Sequence, residues 1–320
     1  MKKLSALVKG KKRIGISGHI RPDGDCVGSC LALYHYLKKI VPDAFIDVNL
    51  EEPPAYLMHM AGVEDIKSDF KSRGKYDIYF ALDVSTLDRL GLAVDYYHNA
   101  DVTVCIDHHV SNDGSFAEHT QILPDASSTA EVLYDLFAED KPKEIDEATA
   151  ICLYTGIIHD SGVLQYSCTS PHTMEIAAKL ISFGFNFSKI ISESFYEKTY
   201  RQNLLLGRAL LGSMLFMDGK GIVSVVTRKM MDFYGTTSAD LEGIVNQLNN
   251  TKGVHFALFM HETDTLTYKV SMRSDETLDV AKVCSSLGGG GHARAAGVTL
   301  KGTHHDVINM ISAEVAKQLQ

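Results

Sequence analysis

The triplet Asp107-His108-His109 closes the run Val102-Thr103-Val104-Cys105-Ile106. Apolar and β-branched residues give way at once to a carboxylate and two imidazoles. The run reads as a buried parallel strand, and in open α/β sheets ligands collect just beyond the carboxyl ends of the strands. Three metal-competent side chains are poor core filler there, because each is costly to bury without a partner. The pattern recurs upstream. Gly18-His19-Ile20-Arg21-Pro22-Asp23-Gly24-Asp25 follows the strand candidate Lys12–Ser17 and supplies an imidazole and paired carboxylates. Pro22 and Gly24 predict a tight turn rather than a helix for this segment. Leu82-Asp83-Val84-Ser85 puts a carboxylate at a further strand end, and Asp160 closes the apolar helical stretch Gly156-Ile157-Ile158-His159. Taken singly, Asp83 reads as an N-cap or turn residue and Asp160 as a cap or surface residue. Taken together, carboxylates that converge cannot all stay ionised without cations, so the set predicts two divalent metals. Oxygen and nitrogen donors without thiolate favour Mn²⁺, with Mg²⁺, Co²⁺ or Fe²⁺ compatible. Paired cations clamping a phosphoryl group suit phosphoester hydrolysis.

Positioning these side chains requires a sheet whose strands end together. Ala44–Asn49, Tyr76–Leu82 and Val102–Ile106 join Lys12–Ser17 as strands, with a helix at Cys26–Ile40 and helical stretches at Ser128–Glu139, Asp146–His159 and Pro171–Phe183. Strand and helix signals in alternation predict a parallel doubly wound α/β sheet for residues 1–186. Residues 187–211 read as a helical linker, and 212–320 as a smaller α+β domain. In that domain Gly212–Met217 and Gly221–Thr227 form a hairpin about Asp218-Gly219. A helix at Ala239–Asn249 and strands at Val254–His261 and Thr265–Arg273 follow. A short helix, a glycine run, one strand and a helix at His305–Leu319 close the chain. The active site is expected in the cleft between the domains.

The chain's 320 residues fit two domains, and its composition is that of a soluble globular protein. The longest apolar runs are too short for a membrane span, and the basic N-terminus is too short in its apolar part for a signal peptide. A cytoplasmic location is expected. The six cysteines form no CxxC pair and read as free, buried thiols of a reducing compartment. A net charge of −9 argues against a protein that grips long nucleic acid by its backbone. It permits a small anionic substrate held by cations or a local basic pocket.

His19/Asp23/Asp25, Asp83, Asp107-His108-His109 and Asp160 resemble, in order, the four motifs of the DHH phosphoesterase superfamily. Gly288-Gly289-Gly290-Gly291-His292-Ala293-Arg294-Ala295-Ala296-Gly297 is similar to the glycine-rich signature of the DHH-associated C-terminal domain. The likeness covers essentially the whole chain, and its layout is that of the nanoRNase type. The resemblance implies one metal held by His19, Asp23 and Asp83, and another held by Asp25, Asp83, His108 and Asp160, with Asp83 bridging. Asp107 and His109 would act from behind the ligands or on the substrate phosphate. His159, next to Asp160 at a helix end, would point elsewhere. Arg273 and His292 would hold the substrate's terminal phosphate. Gly289, Gly290 and Gly291 would offer bare backbone N–H groups as an anion nest, with Arg294 a further candidate.

The implied reaction is attack by a metal-bridging hydroxide on short RNAs, on linear dinucleotides such as pGpG and pApA, and on 3′-phosphoadenosine-5′-phosphate. A homodimer is common in the resembling family. Leu164, Gln165 and Cys168 depart from that family, whose members more often carry Phe, a basic residue and Asn there. The departure bears on substrate choice and leaves the metals untouched. Three other enzymes fit less well. A cyclic-di-AMP phosphodiesterase shares the architecture. A family II pyrophosphatase shares the N-terminal motifs but lacks the GGGGH run. A processive exonuclease needs a further nucleic-acid-binding domain. A nucleotide sensor that binds without turnover would lack ligands that are all present here.

Overall fold

The computed structural model describes residues 2–71 and 74–319. Backbone contacts divide the chain into two units, Met1–Glu197 and Lys198–Gln320. The first unit begins with α1 (Leu4–Leu7), β1 (Arg13–Ser17), α2 (Gly24–Ile40), β2 (Phe45–Val48), β3 (Ile78–Leu82), α3 (Val94–His98) and β4 (Thr103–Asp107). It continues through β5 (His119–Ile122), α4 (Thr129–Asp140), α5 (Glu147–Asp160), α6 (Pro171–Ile181) and α7 (Phe187–Ile191).

The strands form one wholly parallel sheet in the order β2-β1-β3-β4-β5. Successive strands leave β1 in opposite directions, so the strand order reverses between β1 and β3. That junction is where doubly wound sheets bind ligands. All five residues of β3 are buried, because the sheet is covered on both faces. Ile78, Phe80 and Leu82 join the core shared with α2, α4 and α5, while Tyr79 and Ala81 pack with Leu90, Ala93 and Tyr97 on the other side. The edge strand β5 escapes a reading by hydrophobic pattern, since three of the four residues in His119-Thr120-Gln121-Ile122 are polar.

The Gly18–Asp25 segment is shorter as a turn than its Pro and Gly suggest. Helix α2 already begins at Gly24, capped by Asp23, whose Oδ1 accepts the Asp25 and Cys26 N–H groups at 3.1 Å. Asp25 therefore sits on a helix.

The caps carry measurable stability. Asp146 caps α5 by accepting Thr149 N–H at 2.9 Å and pairs with Lys39 at 2.6 Å. Burial would raise its pKa, but Lys39 and Thr149 outweigh this and lower it to about 2. A lowered native pKa means stability that is present above about pH 4 and lost as pH falls through about 2. Asp146→Ala should cost about 1 kcal/mol at pH 7, the usual worth of such a cap. The gap between wild-type and variant unfolding should narrow below pH 4 in a denaturant titration.

After Glu197 the backbone turns extended, and Thr199 starts a fresh helix with Gln202 in a capping box. The stretch 187–211 is thus two helices and a π-helical turn, Ser192–Tyr196. The second unit comprises α8 (Tyr200–Leu211), β6 (Met214–Phe216), β7 (Gly221–Val226), α9 (Arg228–Tyr234), α10 (Ile244–Asn249), β8 (Phe256–Asp264), β9 (Thr267–Ser274), α11 (Val280–Ser286), β10 (Gly290–His292), β11 (Ala295–Lys301) and α12 (His304–Ala316). Its sheet runs β10-β11-β9-β8-β7-β6, antiparallel except for β7 with β8. The helix expected at 239–249 is split. A 3₁₀ turn at Ser238–Leu241 ends before Gly243, whose φ of +84° breaks the helix ahead of α10. Helices α11 and α12 cover one face of the sheet, and α8, α9 and α10 pack on the β7–β8 part of the other.

Candidate metal centre

Three strand ends and one helix end deliver their side chains to the β1/β3 junction. His19 lies just beyond β1, Asp83 just beyond β3, Asp107 and His108 at the end of β4, and Asp160 at the end of α5. His19 Nδ1 lies 2.9 Å from the Ile20 carbonyl, and His108 Nδ1 lies 3.3 Å from the Ala126 carbonyl. A carbonyl only accepts, so in both rings Nδ1 carries a proton and Nε2 is the nitrogen that faces inward, where a cation would displace its proton, the orientation of metal-ligating histidines. His19 Nε2 is 3.5 Å from Asp23 Oδ2 and 3.4 Å from Asp83 Oδ2. His108 Nε2 is 3.0 Å from Asp160 Oδ2 and 3.7 Å from Asp83 Oδ1. The two oxygens of Asp83 thus face two different imidazoles. Asp83 holds a φ of +56°, a conformation that costs a non-glycine residue roughly 1–3 kcal/mol.

Asp25 is fully buried against the start of α4. Its Oδ2 accepts Thr129 N–H at 2.7 Å, and its Oδ1 accepts Ala130 N–H at 3.0 Å and the Ser29 hydroxyl at 3.2 Å. The helix N-terminus holds this carboxylate by its orphan donors and dipole. Thr129 Oγ1 also donates to Asp83 Oδ1 at 3.2 Å. Ser128 caps the same helix, and Glu131 Oε2 accepts from Ser127 and from Thr173 Oγ1 on α6. Sequence reading missed Thr129 and Ala130, although Ser128-x-x-Glu131 carried the capping-box signature.

The charge balance asks for cations. Burial, then the charges of Asp83 and Asp160, push the Asp25 carboxyl well above its ordinary range. Burial likewise pushes Asp160 up, with Asp83 adding to it against the opposing bond from His108. Burial alone would lower His19, but its bonds to Asp23 and Asp83 and the Asp83 charge hold it well above the ordinary imidazole range. His108, against its own burial, is raised to about 10 by Asp160 and Asp25. Donor atoms of His19, Cys26 and Asp83 lie within 4.8 Å of one another, as do those of Asp83, His108 and His109 and those of Asp25, His108 and Asp160. Such spacing suits divalent cations. Burial holds the Cys26 thiol neutral, and its Sγ leans on the His19 carbonyl at 3.7 Å. The cluster therefore offers oxygen and nitrogen donors.

His109 lies beside His108, their ring centres 4.8 Å apart, but spends its Nδ1 on a carboxylate rather than a carbonyl. Its Nδ1 lies 2.7 Å from Asp107 Oδ1, and the bond raises the His109 pKa. His159 packs its ring on Gly24, where a Cβ would come within 2.1 Å, and lies between Tyr56 and Phe195. Of the residues that depart from the family, Leu164 leans on the core at a φ of +64°, whereas Gln165 and Cys168 are exposed. All six cysteines are free, and Cys168 corrects the expectation that every one is buried.

In the second unit the glycine run differs from the expected nest. Gly288 and Gly289 spend their N–H groups on the Ser285 and Cys284 carbonyls, closing the end of α11. A Cβ on Gly289 or Gly291 would come within 2.3 or 2.5 Å of the β11 backbone, so these two glycines serve close strand packing. Gly290–His292 forms the short edge strand β10. Arg294 is also committed, its guanidinium donating to the Asp275 and Leu278 carbonyls. Arg273, Ala295 and His292 are in register across β9, β11 and β10. Side chains in register share a face, so Arg273 and His292 flank the small Ala295 at two strand spacings, about 10 Å.

Residues 13–157 match the model of the DHH family, N-terminal domain, and residues 218–320 match the DHHA1 domain. The chain belongs to the DHH family. The chain is 28% identical over 298 residues to the bifunctional oligoribonuclease and PAP phosphatase NrnA of Thermus thermophilus, covering 92% of this chain and 86% of that protein. The Bacillus subtilis protein of the same name is 24% identical, covering 88% and 87%. The crystal structure of an exopolyphosphatase-related protein from Bacteroides fragilis superposes with a TM-score of 0.88 at 26% identity, over 98% of this chain and 94% of that one.

Proposed function

We propose that this protein is a divalent-metal phosphoesterase. It hydrolyses short oligoribonucleotides and linear dinucleotides such as pGpG and pApA to mononucleotides, and 3′-phosphoadenosine-5′-phosphate to AMP. The observation that carries the reading is the meeting of His19, Asp23, Asp25, Asp83, His108 and Asp160 at the β1/β3 junction, with each imidazole's Nδ1 fixed on a carbonyl. The relatives named oligoribonuclease and PAP phosphatase support the substrate class. His19, Asp23 and Asp83 would hold one cation, and Asp25, Asp83, His108 and Asp160 a second, with Mn²⁺ the best match to the donors. When bound, the cations supply Lewis acidity, stabilising charge on phosphoryl oxygens and making water a competent nucleophile near neutral pH.

The protein's own groups do the rest. Thr129 and Ala130 N–H hold Asp25 in place, and Thr129 Oγ1 fixes one oxygen of Asp83. Asp107 keeps a proton on His109 Nδ1, and its charge favours the imidazolium, which offers a second N–H to a non-bridging phosphate oxygen. Arg273 and His292 bind the substrate's terminal phosphate, with Gly290, whose missing side chain faces open space, leaving the approach clear. The acidic chain confines binding to this local chemistry, which suits substrates of a few nucleotides.

Arg273→Ala tests the phosphate contact. A charge-assisted hydrogen bond of about 1.5–3 kcal/mol corresponds to a KM for pGpG raised about 10- to 100-fold. Steady-state kinetics with an unchanged KM would remove Arg273 from the substrate.

A further inference from the structure

Asn112 is buried behind the end of β4, and every polar atom of its side chain is spent. Its Nδ2 donates to Asp107 Oδ2 at 2.7 Å and to the Val84 carbonyl at 2.8 Å, and its Oδ1 accepts Gly114 N–H at 2.8 Å. Only one amide orientation is chemically allowed. Flipped, the oxygen would face a carboxylate and a carbonyl, and the NH₂ would face an N–H. Asp107, itself fully buried, takes Asn112 on Oδ2 and His109 Nδ1 on Oδ1. The three side chains form a line from the sheet interior to a half-exposed imidazole. A buried carboxylate with one unmatched oxygen would rotate to find a donor. The amide removes that freedom, so the oxygen facing His109 stays where the ring needs it.

We propose that Asn112 is a positioning residue for His109. Acting through Asp107, it fixes the imidazole with its proton on Nδ1 and leaves Nε2 as the atom that meets the substrate phosphate. The phosphate contact rests on the phosphoester-hydrolysis reading above, whereas the fixing of the ring does not. Asn112 differs from the cation donors in touching none of the inward-facing Nε2 atoms. It also holds the Val84 carbonyl beside Asp83, a second route by which its loss could act.

Two measurements separate these routes. In the first, Asn112→Ala lowers kcat on pGpG about 10- to 100-fold with little change in KM, the usual cost of losing a group that orients a reacting one. In a His109→Ala background the same substitution costs nothing further. A comparable loss in both backgrounds would send the effect through Val84 and Asp83 and overturn the proposal. In the second, proton NMR of ¹⁵N-histidine-labelled protein without added metal shows a slowly exchanging His109 Nδ1 proton, assigned by its disappearance in His109→Ala. That signal is lost in Asn112→Ala, and its persistence there overturns the proposal. Asn112→Ser, which keeps a small polar side chain, replaces the alanine variant if the latter does not fold. Should the wild type fail to turn over pGpG, the hydrolysis reading falls while the NMR measurement still decides the role of Asn112.

Discussion

Asp83→Ala is expected to reduce metal-dependent hydrolysis by at least about 10³-fold, the scale set by removing a group that stabilises transition-state charge. Asp83 has its two oxygens divided between two imidazoles, with Oδ2 at 3.4 Å from His19 and Oδ1 at 3.7 Å from His108. Its loss therefore removes a donor from both candidate cation positions at once, whereas loss of Asp23 or Asp160 removes a donor from one. The left-handed backbone of Asp83 complicates the alanine variant, since alanine tolerates a φ of +56° less well than Asp or Asn. Asp83→Asn keeps the shape and the backbone preference while deleting the charge, so it should lose activity to the same degree and melt within a few degrees of the wild type. Activity of either variant near the wild-type level would remove Asp83 from the centre.

The second large effect lies away from the metal ligands. Gly28 on α2 faces α5 so closely that a Cβ would come within 2.5 Å of the Cys152 carbonyl oxygen and 3.1 Å of Gly156 N. These are backbone atoms and cannot swing aside, so Gly28→Ala must push the two helices apart. Overpacking of this kind costs about 1–3 kcal/mol. For a unit of this size that corresponds to a fall in Tm of roughly 2–12 °C. Because α2 carries Asp25 and α5 carries Asp160, the same displacement should weaken Mn²⁺ binding measured by calorimetry. An unchanged Tm would show that the helices have slack that the backbone spacing denies.

Much of the first unit is legible in its sequence because its strands are buried on both faces. Ile78-Tyr79-Phe80-Ala81-Leu82 is a continuous apolar run, and the polar residues that end such runs are conspicuous. The edge strand β5 is not legible because His119, Thr120 and Gln121 give no apolar pattern. The start of α2 is masked in the sequence because Pro22 and Gly24 signal a turn, and only the Asp23 cap shows that the turn is the helix entrance. Short elements of the second unit, α9 and β10, lack the length that periodicity needs. Around the metal centre, residue types announce His19, Asp83 and His108, but nothing in a sequence says that Thr129 N–H reaches Asp25 across the fold. Asn112 is silent for the same reason, since its partners are set by the loop after β4. In the sequence the glycine run signals freedom of φ. Its stronger constraint is the close approach of β11 to Gly289 and Gly291.

The decisive experiment strips the purified protein of metal, restores Mn²⁺, and measures turnover of 3′-phosphoadenosine-5′-phosphate, pGpG, RNAs of a few nucleotides and cyclic-di-AMP side by side. No turnover is expected before Mn²⁺ is added. After addition, AMP forms from the bisphosphate and mononucleotides from the linear substrates, each faster than cleavage of the cyclic dinucleotide. Equal turnover without metal, or a clear preference for cyclic-di-AMP, would contradict the proposed function.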